Sequence, residues 1–331
     1  MEAALKINPA LRGKVTTVAE GRVGRPDLSG DGRTVVYQDM VQDTAEIMRW
    51  RDGQSEQLTH DRFPDAWAKT NRDGSTVVWC RFSAESPADE NGQWDVVRWQ
   101  DGQAEFVANG PGNEMSAQVS ADGRVVVWDD DGDGTFSQWN IGRWQDGKGE
   151  TVTSGPGLKQ FPVLSGDGQR LVFRRENEGK SNYWLRDEAG VVKPFLVGDF
   201  SGASLNYDGS LMAYTDHSKA DEDLFVLSER DMSKRLVAGE REVDETWASL
   251  SGDGQTVAWT NFDRRKGNPA DTNIVVRRGD QQVQVTYDDG GLNAMPKLSE
   301  DGNTLLWYWV DKDDSNRRKI LKADLSSLFE N

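Results

Sequence analysis

Apolar residues along this chain fall in short runs, separated by polar clusters rich in Asp, Gly, Ser and Asn. Runs such as Thr34-Val35-Val36-Tyr37, Thr76-Val77-Val78-Trp79 and Val125-Val126-Val127-Trp128 are β-branched and end in an aromatic, the composition of a strand packed into a core. No stretch keeps the 3.6-residue periodicity of a helix. Each run follows an Asp-Gly pair, whose residues tolerate the positive φ of a tight hairpin turn. A variable polar loop comes next. It leads to a third strand, such as Ile47-Met48-Arg49-Trp50 or Val96-Val97-Arg98-Trp99. A second turn (Arg51-Asp52-Gly53, Gln100-Asp101-Gly102, Gln145-Asp146-Gly147) opens a fourth strand, such as Glu56-Gln57-Leu58-Thr59.

The unit Ser/Asn-x-Asp-Gly-x-x-apolar-apolar-aromatic occurs seven times, running from Ser29, Asn71, Ser120, Ser165, Asn206, Ser251 and Ser299 to Tyr37, Trp79, Trp128, Phe173, Tyr214, Trp259 and Trp307. Its glycines stand at 32, 74, 123, 168, 209, 254 and 302, a mean period of 45 residues. Four-stranded units repeating at that period predict an all-β chain, a seven-bladed β-propeller with four antiparallel strands per blade. The segment Val15-Thr16-Thr17-Val18 precedes the first turn, and the last unit stops after Ile320-Leu321-Lys322-Ala323. The N-terminal strand is therefore expected to complete the last blade, which removes the free edges of an open ring. The expected organisation is an N-terminal extension (1–13), the propeller (14–324) and a short tail (325–331).

These units resemble the TolB-type, WD-like propeller repeat, with its Ser-x-Asp-Gly turn, aromatic-ended strand, and Asp or Asn opening the third strand, here Asp95, Asn140, Asp223 and Asn273. The resemblance covers about residues 14–324 and implies the fold, not a function. TolB itself has six blades and an extra N-terminal domain. The related prolyl-oligopeptidase-type enzymes carry a hydrolase domain, and this chain has no Gly-x-Ser-x-Gly elbow or spare length for one. The seven-bladed oligogalacturonate lyases share several metal-binding histidines, against His60 and His217 here.

Charge narrows the partners. With 56 acidic and 39 basic residues the net charge is −17, which argues against tracking nucleic-acid phosphates or docking on anionic lipid. No run approaches the roughly 18 apolar residues of a membrane span, and 13 tryptophans argue against disorder. Cys80 is the single cysteine and falls in a strand, where it reads as a small buried hydrophobe. Residues 1–13 lack the apolar segment of a signal peptide, so the protein is either cytoplasmic or a mature or excised form of something exported. A monomer is the expected state.

One loop suggests specific chemistry. Asp129-Asp130-Asp131-Gly132-Asp133-Gly134-Thr135-Phe136-Ser137 fits D-x-D-x-D-G, with Asp129, Asp131, Asp133, Thr135 and Ser137 as candidate oxygen ligands of a structural Ca2+, or else forms a solvated acidic loop. The other acidic loops, Glu85 to Asp95, Asp216 to Asp223 and Asp311 to Asp314, share no spacing. Residues entering the innermost strands, Arg25, Trp67, Phe161, Trp247 and Met295, with Asp65, Glu114, Lys159 and Glu245 two positions earlier, are candidate ligand contacts at the mouth of a central channel, or plug it. With no catalytic apparatus legible, the expected function is a non-enzymatic propeller that binds a protein or glycan on its loop-rich face. The alternative is a polysaccharide lyase or hydrolase working at the channel mouth with a metal or carboxylates such as Asp65, Glu114 and Glu245.

Overall fold

A computed structural model describes residues 6–84, 92–177, 180–218, 220–267, 271–287 and 291–329. Of the acidic loops named above, residues 85–91 and 219 lie outside the described residues, as do 1–5 and 330–331 at the termini. The described chain is all-β, apart from 3-10 turns at Pro9–Leu11, Arg264–Lys266 and Ser326–Leu328.

The seven Asp-Gly turns explain why these residues make hairpins. At Ser120 the hydroxyl donates to Asp122 (2.6 Å) and accepts from the Val125 N–H (3.0 Å), while Asp122 accepts from the Arg124 N–H (3.0 Å). Gly123 then takes φ +75° and donates to the Ser120 carbonyl (2.9 Å). Asn works in place of Ser because its amide oxygen reaches the same target five residues on. Asn71 accepts from the Thr76 N–H (3.0 Å) and Asn206 from the Leu211 N–H (2.9 Å). The glycine has a second duty, since a Cβ on Gly74 would overlap the Thr34 side chain and one on Gly123 the Thr76 side chain. Neighbouring turns are chained through backbone bonds, from Arg72 N–H to Ala121 O and from Ala121 N–H to Gly166 O.

All but the last two turns join the first two strands of a four-stranded antiparallel sheet. Asp65–Thr70, Thr76–Ser83, Gln93–Gln100 and Gln103–Ala108 form one in chain order; Glu114–Val119, Val125–Asp130, Asn140–Gln145 and Lys148–Thr151 form the next. Leu158–Leu164, Leu171–Asn177, Lys180–Arg186 and Val192–Val197 form another, and Phe200–Leu205, Leu211–Asp216, Asp223–Ser228 and Lys234–Ala238 another. A larger, eight-stranded sheet holds the last two units, Val243–Gln284 and Gly291–Asp324, which a single parallel pair, Thr272↔Leu292, connects. On its edge Val15–Gly21 runs antiparallel to Arg318–Asp324, from Val15↔Ala323 to Gly21↔Arg318.

The chain divides into two compact units, residues 33–198 and residues 199–331 with 1–32. In each, the strand-end aromatics are core. Trp79 packs with Val36, Ile47 and Val97 in the first unit, and Trp259 with Ala213, Val226 and Val275 in the second. Burying one such ring is worth about 2–3 kcal/mol, and Trp79, Trp259 and Trp307 are fully buried. Cys80 is also fully buried, and burial pushes its thiol up to about 12, which leaves it unreactive.

Candidate functional site

The innermost strands share a feature that propensity does not show. Their pairing slips by a residue between Ala66 and Lys69, Met115 and Gln118, Gln160 and Val163, Ser201 and Ser204, Thr246 and Ser249, and Ala294 and Lys297. Seven residues before each turn glycine, the backbone takes a positive φ: Arg25 (50°), Trp67 (57°), Ser116 (54°), Phe161 (56°), Gly202 (64°), Trp247 (50°) and Met295 (55°). Such bulges re-aim a side chain, at about 1–3 kcal/mol of strain for a bulky residue. Phe161, Trp247 and Met295 are accordingly turned out to solvent.

The residues two positions earlier, expected beside them as ligand contacts, are buried instead. Asp65 accepts from Trp79 Nε1 (2.7 Å) and from Arg81 Nε and Nη2 (2.9 and 3.0 Å). Burial raises its pKa and Arg81 opposes the rise. Lys159 donates to the Gly155 carbonyl and lies 3.4 Å from Asn140 Oδ1, with its pKa lowered by burial. Glu114 accepts from the Gly110 N–H (3.0 Å), and burial together with the carboxyls of Asp95 and Asp130 pushes it up to about 8. Glu245 is likewise pushed to about 8, by burial and then by the nearby Asp223 and Asp244.

The acidic loop of the third repeat does not gather its carboxylates. Asp131 is buried and its two oxygens accept four hydrogen bonds, from the N–H groups of Asn113, Gly134 and Phe136 and the Asn113 side chain, at 2.6–3.3 Å. Asp133 caps Thr135 through its N–H (3.0 Å) and hydroxyl (2.7 Å), and Thr135 bonds Ser137 (2.7 Å). Asp129 points away from both into the protein, and burial pushes it up to about 8. Backbone N–H groups thus do for Asp131 what a cation would do. Among the described residues no group of three or more His, Cys, Asp or Glu side chains is placed to hold a metal ion. The Ca2+ site expected at Asp129, Asp131, Asp133, Thr135 and Ser137 is therefore not shown by this arrangement.

A cleft of about 420 Å3 opens within residues 199–331, lined by Ser201, His217, Glu222, Asp244, Trp247 and Phe262 among others. Ser201 Oγ lies 2.8 Å from His217 Nε2, and His217 Nδ1 lies 3.1 Å from Glu222 Oε1. A carboxylate only accepts, so Nδ1 carries a proton, and in the neutral imidazole Nε2 is then the acceptor for the Ser201 hydroxyl. Hydrogen bonds to their backbone hold His217 and Glu222 in place. The His217 N–H donates to the Asp199 carbonyl (3.0 Å), the Glu222 carbonyl accepts from Glu245 N–H (2.8 Å), and the Glu222 N–H reaches Asp244 Oδ1 (3.3 Å). Arg264 pairs with Asp221 and, at 3.5 Å, with Asp244. Thr260 also lines the cleft, and its Oγ1 is buried without a hydrogen-bond partner.

Of the sequence-predicted contacts, Trp247 lines this cleft, and Glu245 touches it only through its N–H bond to the Glu222 carbonyl. Asp65, Trp67, Glu114, Lys159 and Phe161 belong to the other unit, and His60 is an exposed loop residue there. Sequence reasoning saw His217 and missed Ser201 and Glu222. A signal was present: residues three past the strand-end aromatic are Met40, Phe82, Asp131, Glu176, Phe262 and Val310 elsewhere, so a histidine there departs from the repeat.

No protein-family model matches this chain, and no curated protein matches it. Solved structures do. Oligogalacturonate lyase from Vibrio parahaemolyticus is similar at 12% identity and a TM-score of 0.69, over 96% of this chain and 94% of that one. An oligogalacturonate lyase in complex with manganese is similar at 12% identity and 0.71, with the same coverage. TolB from Acinetobacter baumannii is similar at 14% and 0.55, over 88% of this chain and 79% of that one. These likenesses show a β-propeller fold. They also correct the expectation of a non-enzymatic protein, which rested on the lack of an attached catalytic domain. This chain matches nearly the whole length of a lyase, so the fold can itself be the enzyme.

Proposed function

We propose that the protein is a polysaccharide-acting enzyme, a lyase or a hydrolase, with its active site in the cleft around His217. The observation that carries this reading is the placement of the imidazole between Ser201 and Glu222. A base within hydrogen-bond reach of a hydroxyl, itself oriented by a carboxylate, is the arrangement of general-base catalysis. Trp247 and Phe262 give the cleft aromatic faces for a sugar ring. Glu222 and Asp244 make a neutral saccharide a better fit than a polyanion. The manganese of the lyase neighbour has no matching donor set among the described residues, and no step is assigned to a metal. We also propose seven blades across residues 14–324, on the support of the seven turns and the propeller neighbours.

The test is a panel of plant and microbial polysaccharides, read by new reducing ends, by the absorbance of unsaturated products and by released carboxylic acid. Turnover is expected on a neutral member, unaffected by chelator and about 10^2–10^4-fold slower in His217→Ala. No turnover across the panel, or turnover indifferent to His217→Ala, overturns the proposal.

A further inference from the structure

We infer that Ser201 is a covalent nucleophile and that the cleft hydrolyses carboxylic esters borne on a saccharide. This rests on the enzyme reading above and chooses among its chemistries. In an elimination the base must face a carbon-bound proton of the substrate. Here both ring nitrogens are engaged, Nδ1 by Glu222 and Nε2 by Ser201, so the proton His217 is set to remove is the serine's own. Glycosidic hydrolysis ordinarily uses two carboxyls flanking the bond, whereas Ser-His-carboxylate relays attack acyl carbons.

The repeat shows that the cleft is made for access to Ser201. The bulge position next to it is glycine, while the other six repeats place Arg25, Trp67, Ser116, Phe161, Trp247 and Met295 there. A Cβ on Gly202 would already stand in van der Waals contact, 3.8 Å from Thr215 Oγ1 and from Trp247 N, so glycine keeps a larger side chain from crowding the space beside the hydroxyl. Trp247, one repeat on, supplies the neighbouring wall.

The chemistry balances without a cofactor. Ser201 Oγ attacks the ester carbonyl carbon as its proton passes to His217 Nε2, and Glu222 stabilises the imidazolium. The bond to the alcohol oxygen breaks, His217 returns the proton to that oxygen, and the saccharide hydroxyl leaves. Water then attacks the acyl-Ser201 ester and gives its proton to Nε2. The acyl–Oγ bond breaks, Oγ regains a proton, and the carboxylic acid departs.

The experiment treats the full-length protein with a fluorophosphonate probe and maps the adduct by mass spectrometry, then measures acetate released from O-acetylated xylan. A single adduct on Ser201 is expected, formed at least 100-fold more slowly in His217→Gln, with acetate release lost in Ser201→Ala. The wild-type adduct needs no variant to fold. No adduct at Ser201, or labelling unaffected by His217→Gln, overturns the inference. Reducing or unsaturated ends released equally by wild type and Ser201→Ala also overturn it but leave the enzyme reading standing. Absence of acetate and of both kinds of chain end overturns the two together.

Discussion

Three carboxyls, Glu114, Asp129 and Glu245, are held near a pKa of about 8 by burial. Each keeps an oxygen out of water without a hydrogen-bond partner, the state of a neutral acid rather than an anion. The unfolded chain loses these protons near pH 4–4.5, so between there and pH 8 the folded state binds more protons. Stability is therefore greatest below that window and falls as pH rises through it. Glu245→Gln, which mimics the neutral acid, is expected to flatten this dependence and to gain on the order of 1–2 kcal/mol over wild type at pH 8. Urea unfolding at pH 5 and pH 8 checks it, and equal slopes in the two proteins reject it. At this scale the sequence was least legible. Ser201, His217 and Glu222 come together through a bulge and a loop end, and only His217, out of place in its repeat, leaves a mark in residue type.

Strands and turns were legible because their chemistry is local. Ser or Asn, then Asp, then Gly satisfy one another within five residues, so the motif announces its own structure. The bulges were illegible for the opposite reason. Trp67, Phe161 and Trp247 sit at a φ their side chains disfavour, and only the surrounding sheet imposes it. That constraint also makes residue 202 a switchable position. Gly202→Phe is expected to fold, since Phe161 already occupies the same conformation, and to lower the melting temperature by a few degrees at about 1–2 kcal/mol of strain. The same substitution should fill the cleft and abolish turnover on the substrate that the wild type cleaves. A soluble, cooperatively melting variant with undiminished activity would place the active site elsewhere.

Across the whole molecule, much of the net charge of −17 is repeat grammar: aspartates of the two turn types recur in one repeat after another, serving turns rather than partners. The pairing of the first strand with the last was readable from counting, because one unit lacked a fourth strand and one strand lacked a unit. Deleting residues 1–21 should uncover the edge of Arg318–Asp324, with Ile320 and Leu321 beside it, and cause aggregation below the wild-type melting temperature. Light scattering during a thermal ramp measures this; an unchanged, monodisperse truncation contradicts it. The pairing also orders events in time. Val15 leaves the ribosome about 300 residues before its partner Ala323, a wait of roughly 15–60 s at typical synthesis rates. Through that interval the strand Val15–Gly21 stays unpaired, and the last sheet is completed only once Arg318–Asp324 has been made. Refolding from denaturant faces the same long closure, so its slowest conformational phase should be the docking of the chain's own beginning.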